Sequence, residues 1–179
     1  MTLSIKQQGV FRGMAFAMAT AIIVLSFAII VDPFHYAEIS TFSDRFAVLG
    51  GSLILPTFFL IFSIGRIAKF RFFSPEDIDG SGLTSGSHDI KILQSLLQNT
   101  LEQFVIVFAT FVAWALLMPV SWLSAPPLCS LLFAIGRILF FKGYHHGAPA
   151  RAYGFALTFY STGLMFFTLV IYQVFAWIG

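Results

Sequence analysis

Charge-free stretches divide the chain. Gly13–Val31, Phe46–Gly65, Gln103–Gly136 and Ala152–Gly179 carry no charged residue and are dominated by apolar side chains. A membrane-crossing helix takes about 20 mainly apolar residues. Gln103–Gly136 is too long for one crossing and contains Pro119, Pro126 and Pro127. Proline lacks a backbone N–H and ends or kinks a helix, so this stretch reads as two helices joined by a tight hairpin. The pattern predicts five helices over residues 10–31, 46–70, 90–119, 127–144 and 150–177. The one soluble-looking segment, Ser74–His88, holds Pro75-Glu76-Asp77 and Gly80, Gly82 and Gly86. It reads as a loop opened by Ser74 as the N-cap of a short turn.

Composition sharpens this picture. The chain is 58% hydrophobic and 10% charged, with a mean hydropathy of +0.89. A soluble domain carries about 25% charged residues. A disordered chain, a nucleic-acid-binding domain and an ordinary cytosolic enzyme are thereby excluded. The net charge of +2 is too small for a basic patch, and the 23 phenylalanines suit a lipid-facing surface. Cys129 is the single cysteine, which excludes an internal disulfide and any zinc site needing two thiolates.

The basic residues give an orientation. Lys6 and Arg12 precede or open the first helix. Arg66, Lys69, Arg71 and Lys91 flank the second loop, and Arg137, Lys142 and Arg151 flank the fourth. Only Arg45 falls at the opposite end, beside Asp32, Glu38 and Asp44. The positive-inside rule then places the N-terminus in the cytoplasm and the C-terminus outside. The first apolar run exceeds the roughly 7–15 residues of a signal-peptide core, and Asp32-Pro33 is no small-residue cleavage site. It is expected to persist as a span.

The third helix carries the candidate chemistry. Lys91, Ser95, Asn99, Glu102 and Ile106 recur at helical spacing and share one face, with Gln98 and Gln103 flanking it. Glu102 lies one to two turns inside the apolar region. A lone carboxylate at the bilayer centre costs about 2.5–3.5 kcal/mol, so it calls for a basic partner, a wet pocket, or both. Arg66, Arg137 and Arg151 are the basic candidates on its side. The competing reading makes Asn99 and Glu102 simple helix-to-helix glue.

The fourth loop supplies the second group. Gly147 and Pro149 form a turn, and Arg151 follows in the first turn of the last helix. Helix N-termini attract anions, so an arginine there suggests an anion held between the two. The alternative is an arginine that snorkels to the surface as a topology anchor. Tyr144 is either a site residue or an interfacial aromatic. His145 and His146 are adjacent without a nearby acid, so no metal site is expected. No phosphate loop or nucleophile elbow is present.

Three blocks carry a family resemblance. Gln98-Asn99-Thr100-Leu101-Glu102-Gln103 resembles the second helix of the membrane-associated proteins in eicosanoid and glutathione metabolism, the MAPEG family. Gly136–Gly154, with Arg137, Gly143-Tyr144 and Arg151, resembles the turn between that family's last two helices. Gly65–Asp77 is similar to the end of the first family helix and its following loop in microsomal glutathione transferases, and the nearest likeness is to bacterial members of that type. The blocks occur in the family's order, and the resemblance covers about Phe46 to Trp177.

The resemblance implies an all-α integral membrane protein, an antiparallel four-helix transmembrane bundle with one extra N-terminal transmembrane helix. Residues 1–45 would be the added helix and outer loop, and 46–179 the family domain. It implies a homotrimer with glutathione as co-substrate between subunits, and a lipophilic small-molecule substrate arriving from the bilayer. Arg66, Lys69, Asn99, Glu102, Arg137 and Tyr144 would bind, and Arg151 would stabilise the thiolate catalytically. Glu102 would meet the γ-glutamyl ammonium and Asn99 the peptide. The implied activity is a membrane-embedded glutathione transferase or peroxidase acting on lipophilic electrophiles, in a multi-pass protein of a bacterial inner membrane. The chain departs from the family pattern at Ser95, where many members have Arg, at Phe140, where some have Tyr, and at Gln103, which replaces an aromatic. The alternative is a non-enzymatic lipid-binding or scaffold protein of the same fold.

Overall fold

The computed structural model describes residues 3–38 and 41–178. It contains five long helices, α1 (Ile5–Val31), α2 (Phe42–Phe73), α3 (His88–Leu117), α4 (Ala125–Gly143) and α5 (Ala148–Ile178). Short 3-10 turns at Tyr36–Glu38, Val120–Trp122 and Tyr144–His146 join them, and there is no strand among the described residues. All five helices, α4 counted with its flanking turns, are long and apolar enough to cross a membrane. The all-α bundle expected from the charge gaps is therefore the fold observed.

The first two helices begin four or five residues before their expected starts. Hydroxyl caps fix the true beginnings. The Ser4 hydroxyl accepts from the Gln7 backbone N–H and the Gln7 side chain returns the bond. Thr41 accepts from the Asp44 N–H, and Ser87 from the Ile90 N–H. A cap satisfies orphan backbone donors in the polar layer, outside the apolar run. At α4, Pro126 and Pro127 sit in the first turn, where a missing N–H costs nothing.

α2 to α5 form an antiparallel bundle in which α2 packs on α3 and α4 on α5. α1 lies parallel to α5 along a stripe of Gly9, Gly13, Ala17, Ala21, Leu25 and Ala28. A Cβ added to Gly9 would stand 2.9 Å from Pro149 Cβ, and one at Gly13 would stand 3.0 Å from the Tyr153 backbone nitrogen. In lipid, where no hydrophobic effect drives helices together, such close approach supplies the van der Waals contact that does. The Thr20 hydroxyl and the Tyr153 phenol lie 3.3 Å apart and reinforce the pairing.

The end of the bundle away from most of the basic residues holds the apolar core of Phe111, Trp114, Phe133, Cys129 and Met165. Two polar ties close it. Arg45 Nη1 donates to the carbonyls of Ala115 and Met118, both at 3.0 Å, and so caps α3. The Ser124 hydroxyl donates to the Asp32 carboxylate and accepts from the Phe34 N–H, tying α1 to the α3–α4 hairpin.

Asp77 organises the α2–α3 loop at the other end. It is buried and accepts from the Ser87 N–H at 2.9 Å, the Ser87 hydroxyl at 2.7 Å and the Ser74 hydroxyl at 2.7 Å. Ser74 thus serves this carboxylate from the C-terminus of α2, in place of capping a new turn. The Ser87 N–H is the main reason the Asp77 carboxyl titrates below its ordinary value of 3.8; burial opposes the shift, and the two hydroxyls and Arg71 add to it. A lowered folded pKa means stability present above the unfolded value and lost as pH falls through the folded one. Amide protection factors at Ser87–Lys91, corrected for the intrinsic exchange rate at each pH, are therefore expected to fall below about pH 4. In Asp77→Asn this pH step should vanish and exchange should be fast throughout; an unchanged step would assign it to another carboxyl.

Candidate functional site

α3, α4 and α5 meet α1 at the basic end of the bundle around an open cavity of about 760 Å³. Lys91, Ser95, Asn99 and Glu102 line it from α3, Tyr144 from the turn after α4, and Arg151 from the start of α5. Val10, Phe140, Ala148, Ala152 and Phe155 supply its apolar side. The size falls within the roughly 300–1,000 Å³ of small-molecule sites. The helical stripe read from the sequence is the polar wall of this cavity.

Glu102 and Arg151 face the same space without pairing. The carboxylate accepts only from Gln98 Nε2, at 2.9 Å, among the described residues, and Glu102 is exposed on the single chain. An acid on an apolar span cannot face hydrocarbon cheaply, so this surface belongs against water or protein. The Arg151 guanidinium lies 4.4 Å from the centre of the Tyr144 ring. That cation–π contact holds the arginine at the cavity, and among the described residues its N–H groups have no hydrogen-bond acceptor, which leaves them for an anion. Gly147, at φ +89°, makes the turn that carries Tyr144 back to Arg151; this left-handed conformation suits glycine.

Arg137 takes a different place. It is fully buried and is absent from the cavity lining. Its Nη1 donates to Asn99 Oδ1 at 2.7 Å, and Nε and Nη2 donate to the Thr158 hydroxyl at 3.3 and 3.0 Å. Its guanidinium carbon lies 4.7 Å from the Phe140 ring centre and 5.6 Å from that of Phe133. Arg137 therefore does not neutralise Glu102, one of the two partnerships considered for it. Its Nη1 occupies the Asn99 oxygen, the one acceptor of that side-chain amide. The Asn99 amide N–H groups remain for the cavity.

Arg66 and Lys69 lie across α3 from these groups, in a second open cavity of about 940 Å³ with Phe70, Phe73, Asp89 and His145. Arg66 stacks on Phe62 and Phe141, at 5.8 and 5.6 Å. Of the seven residues singled out from sequence, the fold brings Asn99, Glu102, Tyr144 and Arg151 together. It sets Arg137 behind Asn99 and turns Arg66 and Lys69 to another face. Neither Thr158 nor Val10 stood out from the sequence. The first is a hydroxyl on an apolar helix, ordinary by itself, and the second is one aliphatic residue among dozens. No group of three or more metal-ligating side chains occurs among the described residues.

The MAPEG family model matches residues 46–171. The chain belongs to the MAPEG family. The match covers α2 to α5 almost entirely and omits α1. No curated protein and no solved structure matches the chain. Within this MAPEG chain, the blocks that carried the resemblance supply part of the lining of both cavities, and Val10, Lys91, Ser95 and Asp89 lie outside them.

Proposed function

We propose that the protein is a membrane-embedded thiol transferase or peroxidase, using glutathione to conjugate or reduce lipophilic electrophiles. One observation carries the reading: an acid and a guanidinium that form no ion pair among the described residues line one polar cavity on α3 and α5. Its donor set suits a zwitterionic tripeptide. Glu102 offers an acceptor to the ammonium, Asn99 offers amide donors to a peptide carbonyl, and Lys91 offers a cation to a carboxylate, standing in for the arginine absent at Ser95. Arg137 acts through Asn99 as a positioning residue.

Arg151 and the N-terminus of α5 are the groups for the thiolate. An ordinary thiol has a pKa near 8.5, so only about 3% is ionised at pH 7. Lowering it by about two units takes about 2.7 kcal/mol of preferential stabilisation, within reach of a fixed guanidinium in a partly dry site. The thiol proton leaves to water at the cavity mouth. The sulfur pair then attacks the electrophilic carbon, and the leaving group departs with the bonding electrons.

Arg66 and Lys69 join this site in a homotrimer. The two cavities lie on opposite faces of α3, so a head-to-tail ring sets one protomer's second cavity beside its neighbour's first. Such a ring also covers the exposed Glu102. The cluster of nine basic residues at the cavity end supports a cytoplasmic opening, with the C-terminus outside, in a bacterial inner membrane. α1 is the addition to the four-helix family domain.

Titration of the full chain in detergent tests the reading. Glutathione is expected to raise the melting temperature, because a ligand held only by the folded state stabilises it. Glu102→Gln should weaken glutathione binding about 10-fold by calorimetry, as for loss of one charged hydrogen bond. Equal binding by the variant would leave Glu102 as helix-to-helix glue. No thermal shift with glutathione would favour the lipid-binding or scaffold role, for which the apolar cavity side of Phe140 and Phe155 speaks.

A further inference from the structure

The cavity does not end at its apolar side. Val10 and Ala148 also line a second hollow, a slot of about 300 Å³ on the outer surface between α1 and the start of α5. Leu3, Phe11 and Met14 wall the slot, with Lys6 and Gln7 lining it mainly through their carbon stems. The two hollows are different in kind. One has Glu102, Lys91 and Arg151 in its lining, and the other is carbon almost throughout. They meet at one valine and one alanine. Leu3 to Met14 is three helical turns, about 16 Å along α1, enough to lie beside a hydrocarbon chain.

α1 is held in this position by its sequence. Gly9 and Gly13, on either side of Val10, let the helix backbone settle against Pro149, Ala152 and Tyr153. Any side chain at Gly13 would meet the α5 backbone and lift Val10 from the rim. The α1 part of the wall lies outside residues 46–171, the stretch matched by the family model.

We propose that the slot seats the hydrocarbon portion of the apolar electrophile, and that Val10 sets how bulky a molecule passes from the slot to Arg151. The occupant is the electrophile because the slot adjoins the polar cavity, with Val10 and Ala148 lining both. An amphiphile lying across Val10 and Ala148 places its apolar part in the slot and its reactive end beside the thiol. The reaction itself rests on the thiol-transfer reading above; the slot does not.

The test uses the full chain in phosphatidylcholine nanodiscs. A photoreactive alkyl-diazirine electrophile is expected to label residues 3–14 and 148–155, with labelling displaced by unlabelled electrophile. Val10→Trp should remove the labels beyond residue 147. Measured at saturating glutathione, it should also lower kcat/KM for long n-alkyl electrophiles about 10-fold more than that for a small water-soluble electrophile, the range for steric discrimination in an apolar pocket. Val10→Ala should raise kcat/KM for bulky electrophiles and guards against a folding defect in the tryptophan variant. Labels spread evenly over lipid-facing α2, equal losses with both electrophile classes, or displacement by added phospholipid alone would overturn the proposal. A wild-type chain that turns over no electrophile would overturn thiol transfer, and the labelling pattern would then decide the slot by itself.

Discussion

Arg151→Ala is expected to lower turnover of a model electrophile with glutathione by about 10²–10³-fold, the usual cost of removing one preorganised charge donor. The chain should fold as before. Arg151 is only half-buried, and its one aromatic contact is the Tyr144 ring. Such a cation–π pair is worth about 0.5–2 kcal/mol, well inside the stability of a domain. The kinetic signature should be specific. Because the guanidinium favours thiolate over thiol, the rate of the variant should keep rising toward the free thiol's pKa near 8.5, while that of the wild type should level off at lower pH. Thiolate formation, read from its ultraviolet absorbance, should shift the same way. Unchanged turnover would remove Arg151 from the chemistry and leave it as a topology anchor.

Gly154→Val should have the largest effect on stability. A Cβ at Gly154 would run into the Phe140 backbone nitrogen and stand 2.7 Å from the Gly136 carbonyl oxygen and 2.9 Å from the Leu139 carbonyl carbon. These are backbone atoms, so no rotamer change relieves the clash. α4 and α5 must part, and with them go the Thr158 bonds that hold Arg137. Overpacking costs about 1–3 kcal/mol where neighbours yield, and a buried charge deprived of partners costs about 3–5 kcal/mol. The variant is expected to lose most of its folded fraction in detergent. A Cβ at Gly50 meets no atom within 4 Å, so Gly50→Ala should melt within a few degrees of wild type. Equal melting temperatures for Gly154→Val and wild type would refute the close packing of α4 on α5.

The five crossings were readable from the charge gaps, because a bilayer leaves few ways to satisfy a backbone within hydrocarbon. Helix starts were not. Ser4 and Thr41 lie in polar sequence that hydropathy ignores, and only their hydrogen bonds mark them as caps. The stripe from Lys91 to Glu102 was readable because helical spacing alone puts its members on one face.

The fate of each arginine was a different matter. Arg66, Arg137 and Arg151 are equivalent in sequence as bases at one end of the bundle. The fold sends one to the cavity, one into a cage of Asn99, Thr158 and two phenylalanines, and one across α3. That outcome depends on how the helices are rotated about their axes, which is set by Gly136, Gly143 and Gly154 fitting against facing backbone. Local sequence thus determined the helices and their polar faces, since both follow from spacing along one chain. Tertiary structure decided which faces enclose the cavity and that α1 helps to wall it, since those depend on contacts between residues distant in the chain, 38 positions apart for Asn99 and Arg137 and 133 for Thr20 and Tyr153.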